Sequence, residues 1–167
     1  VQEVKLTESG PKMVKKMDAG DLVHFDKLSI PDYENGGLLY TRLRYLAALS
    51  THDFIDKILS DQLVFTPQDE NNISFAPTLK KEDGLLDFEN KTSDEIINQV
   101  RALDPWPSTF SFLGNKRLKI FRVEKDLSKL TPGQTSVDNN FLLVGTKTGT
   151  LRLLEIQLEG KKRCSDI

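Results

Sequence analysis

Arg101-Ala102-Leu103-Asp104-Pro105-Trp106-Pro107-Ser108-Thr109-Phe110 is the stretch on which the reading of this chain turns. It sets the only tryptophan between two prolines. Pro105 and Pro107 fix φ, remove backbone donors and disfavour helix in the residue before each, so a helix arriving from the N-terminal side must stop here. Polarity then alternates as in a strand. The stretch reads as a rigid corner where a helix enters a β-domain, with Trp106 packed into it as an aromatic plug.

Working outward, Thr92-Ser93-Asp94-Glu95 has the form of a capping box, in which Thr92 and Glu95 satisfy each other's backbone donors. The helix it opens carries Ile96, Ile97, Val100 and Leu103 on one side and ends at Asp104-Pro105. After the corner come four candidate strands, Thr109–Leu113, Lys116–Glu124, Asn140–Gly145 and Thr150–Gln157. Gly114-Asn115 suits a two-residue hairpin turn, and Thr146–Gly149 a longer one. A small antiparallel barrel with one leading helix fits this pattern.

Composition divides the chain. Residues 1–100 hold 11 Lys/Arg against 18 Asp/Glu, while residues 101–167 hold 12 against 7. That asymmetry suggests two units, the basic one facing a polyanion. On the second candidate strand Arg117 and Lys119 share one face and Leu118 and Ile120 the other, the pattern of a wet basic face over a dry core. Lys116, Arg122 and Lys125 lie on or beside the same hairpin, Lys147 and Arg152 flank the next, and Lys161-Lys162-Arg163 follow. Cations gathered on one face are what phosphate-backbone recognition needs. Among the 167 residues no apolar run is long enough for a membrane span, and Cys164, the single cysteine, excludes an internal disulfide or a cysteine metal site.

Upstream, Val1–Leu6 and Leu22–Phe25 are candidate short strands around a tight loop at Met17-Asp18-Ala19-Gly20-Asp21. Taken alone, Asp18 is a turn residue bonding its own backbone. Residues 36–63 read as two helices: Leu38, Leu39, Leu43, Leu46 and Leu49 line the first, and Thr51 caps a second with Phe54, Ile55, Ile58 and Leu59 as core material. Pro67–Asn72 is exposed loop, and Phe75–Phe88 is extended with a turn at Asp83-Gly84. Lys80 and Lys81 are read as solvated surface. His24 and His52 are read as ordinary surface or strand residues.

Three segments resemble the methionyl-tRNA formyltransferase family. Asn98-Gln99-Val100-Arg101-Ala102-Leu103-Asp104-Pro105-Trp106-Pro107 is similar to its helix-to-barrel junction. Phe75-Ala76-Pro77-Thr78-Leu79-Lys80-Lys81-Glu82-Asp83-Gly84-Leu85-Leu86-Asp87-Phe88 is similar to its linker, with Phe88 where the family usually has Trp. Leu158-Glu159-Gly160-Lys161-Lys162-Arg163-Cys164-Ser165 resembles its closing segment, with Cys164 in a Met position.

The resemblance implies a Rossmann-like α/β catalytic domain, only its C-terminal part present at 1–65, a linker at 66–90, and an OB-like antiparallel barrel at 91–167, truncated at its end. It implies transfer of a formyl group from 10-formyltetrahydrofolate, the folate donor, to the amino group of methionyl-tRNA, without a metal. It places the family's catalytic aspartate at Asp18, orienting and supporting a histidine upstream of Val1. It implies tRNA binding by Lys116, Arg117, Lys119, Arg122, Lys147, Arg152, Lys161, Lys162 and Arg163. The expected protein is a monomer using initiator methionyl-tRNA with no membrane partner, in the mitochondrial matrix or the bacterial cytoplasm, and the chain reads as an inactive internal fragment of it. Two alternatives stay open. One is another folate-dependent enzyme of this domain pair, a UDP-amino-sugar formyltransferase or formyltetrahydrofolate hydrolase. The other is a non-enzymatic OB-like nucleic-acid-binding module.

Overall fold

A computed structural model describes residues 2–7, 20–69, 71, 74–138 and 140–165. The chain divides into two units, one of residues 1–34 and 38–77 and the other of residues 35–37 and 78–167. It is mostly antiparallel sheet with two α-helices.

In the first unit β1 (Gln2–Thr7) pairs antiparallel with β2 (Leu22–Leu28), in a register that sets Lys5 opposite Phe25. Leu22 also exchanges both backbone hydrogen bonds with Thr66, each at 2.8 Å. The helix α1 runs unbroken from Gly36 to Leu59, where the sequence suggested two. Thr51 caps nothing. Its hydroxyl donates to the Ala47 carbonyl at 2.7 Å, as Ser50 does to Leu46 at 2.9 Å, so a potential cap is absorbed by the preceding turn. Two polar clusters tie α1 to the residues before it. Glu34, buried, receives Arg42 Nη1 at 2.7 Å from each carboxylate oxygen. Asp26 accepts from the Ser50 hydroxyl and sits 3.0 Å from His24 Nε2, and the Ser50 bond above all holds its carboxyl below the usual range. The expected apolar stripe of α1 is only partly packed: Leu39, Leu43, Leu46 and Phe54 are half-buried, while Leu38, Leu49, Ile55, Ile58 and Leu59 are exposed. Within this unit the described sheet is a two-stranded ribbon, too narrow to cover a 24-residue helix.

The second unit is built on one sheet. Its strands are β3 (Thr109–Leu113), β4 (Lys116–Asp126), β5 (Thr135–Asp138), β6 (Phe141–Gly145), β7 (Thr150–Leu158) and β8 (Cys164–Ser165). The order is β3-β4-β7-β6-β5, all antiparallel, with β8 pairing the end of β7 beyond β6. These pairings establish an antiparallel sheet; a closing pair between its outer strands is not among those of the described residues. Gly114, at φ +59°, takes the first turn position between β3 and β4, a conformation that costs glycine nothing.

Helix α2 (Ser93–Ala102) lies on the inner face of this sheet. Its capping box forms as expected: Thr92 Oγ1 accepts from the Glu95 amide at 3.2 Å, and Glu95 Oε2 accepts from the Thr92 amide at 2.7 Å. Ile96, with no exposed surface, and Val100 pack from α2 onto Leu118 and Ile120 of β4, Val144 of β6, and Leu151 and Leu153 of β7. Leu86 and Phe88, from the segment read as linker, complete this core, and Leu86 donates its amide to Phe110 O at 2.9 Å. Hydroxyls buried here have partners where the sheet supplies them: Ser93 with Thr146 at 2.8 Å, and Thr109 with the Ile120 carbonyl at 2.6 Å.

Candidate nucleic-acid interface

The corner that ends α2 is held by a hydrogen bond within it and by two from Asn35 and Gly37. Ser108 donates its amide to Leu103 O at 2.9 Å, and Asp104 receives the Gly37 amide at 2.9 Å and the Asn35 side-chain amide at 2.6 Å. Both proline bonds, Asp104–Pro105 and Trp106–Pro107, are cis. The tryptophan is not the buried plug the sequence suggested. It is 57% exposed, because the core is already filled by Ile96 and Val100 of α2 and by Leu103 at its C-cap, and the turn carries the indole outward. Trp106, Pro107, Phe110, Arg117, Lys119 and Lys81 line a groove of about 320 Å³.

Strand parity sorts the expected cations. On β4, Leu118 and Ile120 are buried and Arg117 and Lys119 point outward, opposite Phe112 and Phe110 of β3. The Arg117 guanidinium lies over the Phe110 ring at 4.2 Å. Arg117 and Lys119 also line a second groove, of about 450 Å³, with Phe112, Gln157, Leu158, Glu159 and Gly160. Lys161 and Lys162 are exposed in the turn that follows. Lys116 has the parity of the buried residues and is exposed because it sits at the hairpin end.

Further along the same outer face the cations are matched by carboxylates. Arg122 stands opposite Glu155, and Arg152 opposite Glu124 with their charges 3.4 Å apart. Arg163 donates to Glu155 at 2.6 Å and lies over the Phe121 ring at 3.8 Å. The hydrogen bond from Arg163, reinforced by the charges of Arg163 and Arg122, lowers the Glu155 pKa, and the same bond with the Glu155 charge raises that of Arg163. Arg152 stacks on Phe141 at 3.3 Å. Lys147 is elsewhere: its amide bonds Lys91 O beside the N-terminus of α2, and its charge acts on Glu95. The nine expected residues therefore do not form one site. Arg117 and Lys119, with Lys161 and Lys162 after them, form an open basic end; Arg122, Arg152 and Arg163, facing Glu124 and Glu155, form a partly neutralised centre.

The residues that sequence reasoning passed over are the rings beside this open end. The alternation Thr109-Phe110-Ser111-Phe112 already puts both phenylalanines on one face, and the hairpin turn sets that face beside Arg117 and Lys119. Asp18 lies outside the described residues. Among the described residues no group of three or more His, Cys, Asp or Glu side chains is placed to hold a metal ion, and no helix is long and apolar enough to cross a membrane.

The family described as formyl transferase, C-terminal domain, matches residues 78–166, which is the second unit almost entire. The chain belongs to that family. It is also similar to methionyl-tRNA formyltransferases of bacteria: 36% identical over 148 residues to that of Geobacter sulfurreducens, covering 88% of this chain and 46% of the relative. To that of Streptococcus pneumoniae it is 33% identical over 153 residues, covering 91% of this chain and 49% of the relative. It thus spans about half the length of the curated relatives it matches. Among solved structures, HypX of Aquifex aeolicus superposes with a TM-score of 0.69 at 17% identity, over 98% of this chain and 30% of that one. The N-formyltransferase of Helicobacter canadensis, crystallised with folinic acid and dTDP-3-aminofucose, gives 0.61 at 16% identity, over 84% and 52%. At these identities the likeness is one of fold. The open basic end, with its rings, thus belongs to a formyl transferase C-terminal domain.

Proposed function

We propose that this chain is part of a formyltransferase that uses methionyl-tRNA as acceptor and 10-formyltetrahydrofolate as donor, with its formyl transferase C-terminal domain holding the tRNA. The similarity to methionyl-tRNA formyltransferases over nine-tenths of the chain carries this reading, and the open basic end at Arg117 and Lys119 supports it. In this reading the sheet is the wall of an OB-like barrel, and the RNA backbone meets its outer face. The methionine amine attacks the formyl carbon, the bond from that carbon to the folate nitrogen breaks, and the proton shed by the amine passes to that nitrogen. Asp18 orients and electrostatically supports a histidine of the same site, so that the oxyanion on the formyl carbon develops against fixed dipoles rather than water.

The test is formyl transfer to methionyl-tRNA by the protein that carries this chain. Asp18→Asn is expected to lower kcat by about 100-fold or more. Arg117→Ala with Lys119→Ala is expected to raise KM for tRNA and leave kcat nearly unchanged. If methionyl-tRNA is inert while a nucleotide-linked amino sugar or water accepts the formyl group, the acceptor proposed here is wrong.

A further inference from the structure

We infer that the groove between the Trp106 corner and the β3–β4 hairpin is a stacking site for one unpaired nucleotide of a single-stranded RNA segment. The inference rests on the reading that this domain binds RNA. It goes beyond backbone contact in naming which part of the RNA is gripped, and by what.

Three observations converge on it. The first is an unusual exposure of rings within one small area: Trp106 is 57% and Phe112 is 55% exposed, with half-buried Phe110 between their grooves. The second is that cations border these rings. Lys81 and Lys119 line the Trp106 groove, and among the described residues neither makes a side-chain hydrogen bond or ion pair. Arg117 uses one face of its guanidinium on Phe110 and also lines the Phe112 groove, so it borders both hollows. The third is size. A hollow of about 320 Å³, walled by an indole and two cations, admits a flat ring with its attached phosphate, whereas a base inside a duplex offers its π-face only to its neighbours.

Chemistry selects the occupant. An apolar peptide would leave Lys81, Arg117 and Lys119 facing no counter-charge, and a phosphate alone would leave the indole uncovered. An unstacked nucleotide satisfies both, its base on Trp106 and its phosphate toward Lys119 and Arg117. The corner suits the task because Pro105 and Pro107 hold the indole without recruiting core residues.

Trp106 is the only tryptophan in the chain, so its fluorescence reports this site alone. The experiment titrates the 167-residue chain with a single-stranded RNA of about ten nucleotides and with a blunt duplex of equal length, following both Trp106 emission and the anisotropy of labelled RNA. The single strand is expected to quench Trp106 strongly and the duplex weakly. By anisotropy, Trp106→Ala is expected to weaken single-strand binding by about 5- to 150-fold, and Trp106→Phe by less. Duplex binding should change by less than about twofold in both variants, which shows that they remain folded. If single strand and duplex bind equally and neither quenches Trp106, the stacking site is refuted while RNA binding stands. If neither RNA binds at low salt, the reading of an RNA-binding domain fails first. Concentration-dependent self-association that blue-shifts Trp106 without RNA would make a second copy the occupant and overturn the proposal.

Discussion

Replacing Glu155 by glutamine should strengthen RNA binding. On the outer face Arg163 donates to this carboxylate at 2.6 Å, and Arg122, opposite it across β4 and β7, adds its charge nearby. Glu155→Gln keeps the shape, leaves Arg163 on the Phe121 ring, and raises the charge of the face by one. A surface cation released to a phosphate gains about 0.2–1 kcal/mol, or roughly 1.5- to 5-fold in affinity. One added phosphate contact also steepens the salt dependence by about 0.7–0.9 in log–log slope, so between 50 and 200 mM salt the variant should lose roughly threefold more affinity than its parent. The cost in stability is small. The pair is 47% and 27% exposed, solvent screens it, and its loss is worth at most about 1 kcal/mol. The assay is anisotropy of labelled tRNA across a salt series, with a thermal melt as control. An unchanged or weaker affinity with an unchanged slope, in a variant that melts like its parent, would refute the division of this face into an open end and a partly neutralised centre.

Other outcomes follow from the packing. Gly145→Ala should destabilise the second unit by about 1–3 kcal/mol in denaturant titration, because a Cβ there would overlap the Thr131 carbonyl oxygen across a backbone contact that cannot yield cheaply. Thr92→Ala should cost about 1 kcal/mol by removing the cap of α2, and leave RNA affinity unchanged. Stability should also fall with acid. Hydrogen bonds from Ser50, Asn90, Thr92, Ser128 and Arg163 lower the pKa values of Asp26, Asp87, Glu95, Asp126 and Glu155 from ordinary values of 3.8 and 4.5. Depressed carboxylates stabilise the fold above their unfolded pKa values and lose that contribution as pH falls through the folded ones, so melts from pH 7 to 3 should be flat above about pH 5 and decline below it.

What the sequence made legible was what short spacing determines. The cap at Thr92, the stripe of Ile96, Val100 and Leu103, the proline corner and the glycine turn at Gly114 each depend on residues within one or two turns of chain, and the structure has them all. Strands β5 and β8 were not legible. Thr135–Asp138 has only Val137 as an apolar residue, and Cys164–Ser165 is too short for any alternation; both exist because β6 and β7 offer them an edge. Thr51 shows the converse failure, a good local cap signal overruled by a helix that continues through it. Trp106 was misjudged because ring size suggested burial, whereas the space beneath the corner had been claimed by α2.

The site shows the same boundary between local and non-local information. Alternation from Arg117 to Phe121 is readable by eye, and a regular strand would then turn Arg122 inward with Leu118 and Ile120. The pairing of β4 with β7 instead shifts at Phe121, and again at Leu154 on the facing strand, so Arg122 stands opposite Glu155 on the outer face and Val123 packs against the core. Such irregularities re-aim side chains. Here the extra residue does two things at once: it sets Arg122 opposite Glu155, and it leaves the Phe121 ring beneath the guanidinium of Arg163. A count of cations along the sequence gives β4 and the closing segment equal claims on a polyanion. The register withdraws Arg163 into an ion pair with Glu155, sets Arg122 opposite the same carboxylate, and leaves Arg117 and Lys119 open beside Phe110, Phe112 and Trp106.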